Sequence, residues 1–402
     1  MSQTESGPPK TILAIASYFK GQRFMQRAHE RGAKVYLFTV EKHLDKAWPR
    51  EALADVFAVP TKHSLRDVVL TVSYLARTHR FDRVVALDDF DVETAAHLRE
   101  HLRLPGMGDS QARLFRDKLA MRISARAAGI RVPEFTAVFN DDEVRAFAAR
   151  VPAPWMLKPR LQASATGIKK ITSETALWDT LHALGDERAF YLLERYQPGD
   201  VYHVDSIVAG GTVRFSEVHR CGTPPFDVAH GGGIFSSRTV VRGSPEDREL
   251  RAMNESLLGA FGLMNSASHV EFIRAKDTGE LYMLECAARV GGAHIADLVE
   301  ASTGLNPWSE WADVEMDGAK YVVPKHRSDY GGLVVCLARD ERPDTTSYAD
   351  PEIVYRSPEA HHVGLVVCSP DATRAGALID RYEARLKTET LAVMPAPERP
   401  SN

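Results

Sequence analysis

The stretch HVEFIRAKDTGELYMLECAARVGG, residues 269–292, decides how this chain is read. Two apolar runs, HVEFI and LYMLEC, flank the turn-forming residues Asp277–Glu280, which is the pattern of a β-hairpin. Glu271 and Glu285 are equidistant from Thr278, so a hairpin folded there sets them opposite one another on one face. Directly opposed residues of an antiparallel pair have Cβ atoms about 4.5–5.5 Å apart. Two carboxylates that close repel, and burying either alone is costly, so a cation belongs between them. Oxygen ligands at this spacing suit Mg²⁺ bridged to phosphate oxygens. The alternative is a surface hairpin whose glutamates point to water. Val270, Phe272, Leu284 and Cys286 oppose it, because they make the other face apolar too.

Upstream of the hairpin the chain reads as short antiparallel strands: WMLKP, GIKKI, FYLLE, YHVDSIV and TVRFSEV, with one helix inserted over 174–184. Lys158 ends the first of these strands and points its ammonium into whatever lies beyond. The small residues that follow, Gln162 to Gly167, can bring backbone N–H groups close to an anion, or form a plain hairpin turn. In LLERYQPGD (192–200) a strand ends in Glu194, passes Tyr196 and reaches a Pro-Gly turn, which is either a linker facing a purine edge or an ordinary strand exit. HGGG (230–233) resembles an esterase oxyanion loop, but the chain has no G-x-S-x-G elbow. A mobile glycine loop closing on substrate is the better reading, with Arg238 behind it for an anionic group. Glu217 and His219 could line an amine pocket or simply end a strand. Asp88, Asp89 and Asp91 follow strand VVAL, either at a cleft or as helix caps.

Further upstream, strands at 11–17, 34–40 and 83–87 alternate with helices at 21–32, 63–79 and 91–102. That alternation implies a parallel sheet covered by helices, a Rossmann-like domain over residues 1–110. The first strand runs into SYFKGQ and not G-x-G-x-x-G, so a dinucleotide site is not expected there. A helix is expected over 111–128. Beyond it, 111–325 forms a middle domain, and 326–402 a small α+β lobe with strands near 332–338, 352–356 and 362–368 and a helix over 371–386.

A chain of 402 residues is too long for one hydrophobic core. With 44% hydrophobic and 26% charged residues and a net charge of −4, it is ordinarily globular and unlike a nucleic-acid protein. Cys221, Cys286, Cys336 and Cys368 form no C-x-x-C pair and read as free thiols of a reducing compartment. No apolar run approaches the ~20 residues of a membrane span, so a cytoplasmic protein without membrane contact is expected.

Taken in order, RDKLAMRISARAAGIRVPEF, WMLKPRLQASATGIKKI, YLLERYQPGDVYHVDSIV and HVEFI…LYMLECAARVGGAHIADLVEASTGLNPW resemble the ATP-grasp superfamily. The likeness is closest to its carboxylate–amine ligases, in particular the L-amino-acid ligases that make dipeptides, and covers roughly residues 10–320. It implies an ATP-grasp fold, α/β and α+β, behind an N-terminal Rossmann-like domain and before a small C-terminal lobe. It implies that Lys118 and Lys158 hold the ATP phosphates from two sides and that the loop Ser164–Gly167 closes over them. Glu194–Tyr196 would meet the adenine, and Asp200 or His203 the ribose. Glu271 and Glu285 would carry Mg²⁺, with Mn²⁺ able to substitute, and Arg289 with Gly291–Gly292 would reach the substrate carboxylate or acyl phosphate. Two positions depart from the pattern: Ala287 stands where an asparagine usually completes the metal site, and Val201 where many members have glutamate. The implied activity is amide formation between a small carboxylate and an amine through an acyl phosphate, releasing ADP and phosphate, by a chain able to form a homodimer. An ATP-grasp carboxylase or purine-pathway ligase is the neighbouring alternative, and an ATP-binding module without catalysis the remote one.

Overall fold

The structure, a computed structural model, describes residues 9–163 and 165–393. The N-terminal sheet has four parallel strands in the order Asp55–Val59, Lys34–Val40, Thr11–Ala16, Arg83–Ala86. Helices Gln22–Glu30, Leu65–Leu75 and Val92–Leu102 cover it, as the alternating pattern requires. Strand Asp55–Val59 escapes the sequence reading because it is an edge strand with only Val59 fully buried.

Two antiparallel sheets follow. The smaller, in the order Phe135–Ala137, Tyr191–Arg195, Trp155–Pro159, Lys169–Ile171, packs Trp155, Leu157 and Leu193 against Phe147, Leu177 and Leu181 of helices Asp141–Arg150 and Glu174–Leu184. The larger has eight strands: Leu281–Ala287, Asn265–Ala275, Gly199–Ala209, Thr212–Cys221, Phe235–Thr239, Tyr330–Leu337, His362–Ser369 and Ile353–Arg356. The C-terminal segment is α+β as expected, yet its strands continue this large sheet edge to edge, with Ser237 paired to Leu333. Helix Ala372–Glu389 closes the far side through Leu378, Ile379 and Tyr382. No helix among the described residues is long and apolar enough to cross a membrane.

Two local expectations are corrected. The helix read over 111–128 is broken: a turn at Asp109–Ala112 and a 3₁₀ turn at Arg113–Phe115 precede a separate helix, Lys118–Ala127. Asp117 causes the restart. Its carboxylate caps the new helix by accepting the Leu119 N–H at 3.0 Å, and it is also held by Arg160. The glycine loop read at 230–233 is in part helical, since Pro225–Gly231 forms a helix with proline at its first position and Gly232 (φ 67°) ending it.

Candidate active site

The smaller antiparallel sheet and the large sheet face each other across a cleft of about 370 Å³. Strand alternation decides what enters it. Val201 and His203 line it from one strand, and His269, Glu271 and Ile273 from the next. The pairing read from the sequence is present, with Glu271 opposite Glu285, but the register next to the turn is one residue off that reading. A bulge lies beside that pair, because Phe272 opposes Met283 and leaves Leu284 extra. The register set at the turn, carried through, would face Glu271 with Leu284. The bulge instead brings Glu285 into the pair, and Leu284 and Glu285 both line the cleft.

Lys118 reaches this pair from the break in its helix. Its ammonium donates to Glu285 Oε1 at 2.8 Å and to the Gln162 carbonyl at 2.6 Å. Burial pushes the Glu271 carboxyl up, but His269, His203 and Lys118 outweigh it and keep it ionised, with His269 Nε2 at 3.6 Å. The Glu271 carboxylate has no side-chain donor closer than His269 Nε2 among the described residues, and it and the Glu285 carboxylate line the cleft. This hard, oxygen-only pair fits a divalent cation such as Mg²⁺. Ala287 also lines the cleft and offers no ligand atom.

Lys158 forms an ion pair with Glu194, which Arg122 also grips through Nε at 3.1 Å and Nη2 at 3.0 Å. All three are largely buried. Burial pulls the Lys158 ammonium down in proton affinity, and Glu194 opposes that pull. The Glu194 carboxyl is pushed up by burial and brought below its usual range by Arg122 and Lys158. Glu194 therefore positions Lys158, while Tyr196 and Gln197 beyond it line the cleft. Lys170 sits 3.8 Å above the Tyr196 ring. Of the small-residue loop, Ala163 and Ala165 line the cleft, and Gly167 takes φ +71°, with Pro159 3.0 Å from where a Cβ would stand. Ser164 lies outside the described residues.

Arg289 lines the cleft and is tied to the N-terminal domain. Its Nε donates to Asp89 Oδ2 at 2.7 Å, and its Nη1 to the Val290 carbonyl at 2.8 Å. Burial pushes the Asp89 carboxyl up, but Arg289 and Arg116 prevail and bring it to about 2. Asp88 pairs with Lys20 at 2.6 Å and caps the short 3₁₀ turn Asp89–Asp91 by accepting the Phe90 N–H at 3.0 Å, whereas Asp91 accepts the Ser17 N–H at 2.8 Å and does not cap helix Val92–Leu102.

Several expected residues point elsewhere. Asp200 occupies the face of its strand away from the cleft and pairs with Arg220 at 2.9 Å, so it is not placed to meet a ribose. His203 does line the cleft, but both ring nitrogens are engaged, Nδ1 by Asp205 and Nε2 by Ser237 Oγ, each at 2.7 Å. Arg238 follows the alternation to the opposite side from Ser237, where Asp380 holds it at 2.6 Å. Glu217 is bound by Arg242 at 2.8 Å, and His219 stacks on His203, fully buried, with burial bringing its imidazole down to about 4.

Three features were not foreseen. Arg122 is one, its guanidinium buried against Glu194. Asp205, bonded to His269 Nδ1 at 2.9 Å, is another; its spacing of two from His203 puts both on one face, a signal that was readable. The third is helix Pro225–Gly231 as a cover, with Phe226 and Val228 facing the cleft and His230 Nε2 2.9 Å from the Ile168 carbonyl.

No family model matches the chain. Among curated proteins it is similar to the L-arginine-specific L-amino acid ligase of Bacillus subtilis, 24% identical over 242 residues, covering 59% of this chain and 58% of that protein. It is also similar to the alanine–anticapsin ligase of Bacillus subtilis (strain 168), 23% identical over 264 residues, covering 60% and 55%. The chain thus spans little more than half the length of these relatives. Among solved structures, the L-amino acid ligase from Bacillus licheniformis matches with a TM-score of 0.75 at 16% identity, over 96% of this chain and 99% of that one. N5-carboxyaminoimidazole synthetase from Staphylococcus aureus, complexed with ADP, matches at 0.70 and 15% identity, over 93% and 96%. The chain has the ATP-grasp fold of these solved structures, and the curated relatives it resembles are ligases that act on amino acids.

Proposed function

We propose that the protein is an ATP-dependent carboxylate–amine ligase that joins amino-acid substrates through an acyl phosphate, releasing ADP and phosphate. One observation carries the reading: Lys118, Lys158, Glu271, Glu285 and Arg289, far apart in sequence, converge on one cleft. Phosphoryl transfer needs positioning and charge neutralisation more than covalent help from the protein, and this set supplies both. Lys158, from the smaller sheet, and Lys118, from the start of helix Lys118–Ala127, bind the triphosphate. Glu271 and Glu285 would hold Mg²⁺, or Mn²⁺ in its place, which when bound neutralises phosphate charge. The substrate carboxylate attacks the γ-phosphorus, ADP leaves, and the amine then displaces phosphate from the acyl group. Arg289, held charged by Asp89, faces the oxyanion of that second step. Loop residues Ala163 and Ala165 and helix Pro225–Gly231 keep water from the acyl phosphate. The free cysteines fit a reducing cytoplasm.

A phosphate-release screen of amino-acid pairs with ATP and Mg²⁺ tests the substrate class. An ¹⁸O label in the substrate carboxylate should appear in inorganic phosphate. Label in AMP, or stoichiometric pyrophosphate, would overturn the mechanism. ADP release that requires bicarbonate and ignores amino acids would move the protein to the carboxylases.

A further inference from the structure

A second cavity, of about 300 Å³, lies between the N-terminal sheet and the start of strand Asn265–Ala275. Two open strand edges border it. Arg83–Ala86 is the outermost strand of its sheet. Residues 265–268 pair with Gly199–Ala209 on one side, while pairing to Leu281–Ala287 begins only at His269. Outward N–H and C=O groups on such edges have no ladder partner.

The charges around this cavity do not balance. Arg99, from helix Val92–Leu102, is only 9% exposed. Its Nε donates to the Met107 carbonyl at 2.9 Å and its Nη1 to the Val84 carbonyl at 2.7 Å. Nη2 has no partner, and the guanidinium no ion pair, among the described residues. The nearby carboxylate, Glu315, is already shared: Arg83 Nε stands 3.6 Å from it, and Trp311 Nε1 donates to it at 3.2 Å. Two guanidinium groups thus face Glu315, while Asp109, the other carboxylate acting on Arg99, is already paired with His97 at 3.0 Å, and an uncompensated buried charge is expensive. The volume is at the lower end for small-molecule sites. Arg99 also braces the loop at Gly106, whose φ is +132° and whose missing Cβ makes room for the Arg99 stem, 2.7 Å from where a Cβ would stand. Bracing uses the carbonyl contacts and leaves Nη2 free.

We propose that this cavity is a second ligand site, separate from the ATP cleft, for a small oxyanion held by Arg99 and Arg83 against the open edge of strand Arg83–Ala86. The oxyanion is the carboxylate of a metabolite or an inorganic phosphate. Because one rim belongs to the N-terminal domain and the other to the large sheet, an occupant fastens the two together.

The test uses the full chain, with thermal shift and calorimetric titration against inorganic phosphate in one arm and acetate, succinate and glutamate in the other. One arm should give saturable stabilisation, and which one identifies the source. The effect should persist in Lys158→Met, which removes a phosphate-binding cation from the ATP cleft. It should weaken about tenfold or more in Arg99→Met, where a charge-assisted fork is lost, and several-fold in Arg83→Ala. If Arg99→Met does not fold, Arg83→Ala, at a more exposed position, carries the comparison. The proposal fails if no anion stabilises the chain, if Lys158→Met abolishes the effect, or if binding is unchanged in every arginine variant that folds.

Discussion

Asp89→Asn isolates what the ion pair between the N-terminal domain and Arg289 contributes. The change keeps the shape of the side chain and one acceptor for Arg289 Nε, and it removes the charge. Asp89 ionises at about 2 in place of its ordinary 3.8, because Arg289 and Arg116 overcome its burial. A tenfold change in proton affinity is worth about 1.4 kcal/mol, so the ionised Asp89 carboxylate, with Arg289 and Arg116 together, stabilises the fold by about 2 kcal/mol. This sits somewhat below the 3–5 kcal/mol typical of stripping one partner from a buried pair, as expected where one hydrogen bond survives. The folded-state value is depressed, so the contribution is complete above pH ~4 and is lost as pH falls towards about 2. Urea unfolding at neutral pH should show the variant about 2 kcal/mol less stable, with the difference shrinking between pH 4 and 2. In ligase turnover, the weakened hold on Arg289 should lower kcat by about 10–100-fold, since small misplacements are costly. KM for ATP should stay unchanged, because Lys158 is held independently by Glu194. A variant with wild-type stability at neutral pH, or with its loss undiminished towards pH 2, would refute the reasoning on stability. Unchanged kcat would refute the positioning of Arg289.

Glu285→Gln should abolish turnover, by at least about 10³-fold, with the fold retained; near-normal rates at saturating Mg²⁺ would remove Glu285 from the metal site. Glu194→Gln should raise KM for ATP and lower stability by about 3 kcal/mol, because Arg122 and Lys158 lose their shared counter-charge; an unchanged urea midpoint would contradict this. Hydrogen exchange at residues 165–168 and in helix Pro225–Gly231 should slow together when an ATP analogue binds, since His230 bonds to the Ile168 carbonyl; protection of one alone would separate the two covers.

The hairpin was legible because each glutamate interrupts an apolar strand on either side of one turn, although the register at that turn is one residue off the symmetry read from the sequence. The bulge at Leu284 could not be read, because an extra residue leaves no mark in an already apolar run. Lys118 was identified through resemblance, whereas the break that aims it depends on Asp117 meeting Arg160, which lies 43 residues further on. Asp200 and Arg238 were misplaced for a common reason. Period-two alternation divides a strand into two faces, but the chemistry of one side chain does not say which face is the cleft. Once Val201 and Ser237 are known to face inward, their neighbours must face out. Helix Pro245–Ala260 was overlooked although Ser244 and Pro245 mark its start, because its polar residues mask the stripe of Leu250, Leu257 and Leu258.

The large sheet runs through the boundary that composition suggests near residue 325, and this limits how the chain can be divided. A protein ending there would leave Phe235–Thr239 as a bare, partly apolar edge beside the cleft. Such an edge recruits strands from other molecules. Ser237, which steadies His203, sits on that edge. The C-terminal residues are therefore not an appendage that a shortened, still-functional version could drop, and insertions should be tolerated better in the exposed turn at Asp277–Gly279 than near Tyr330.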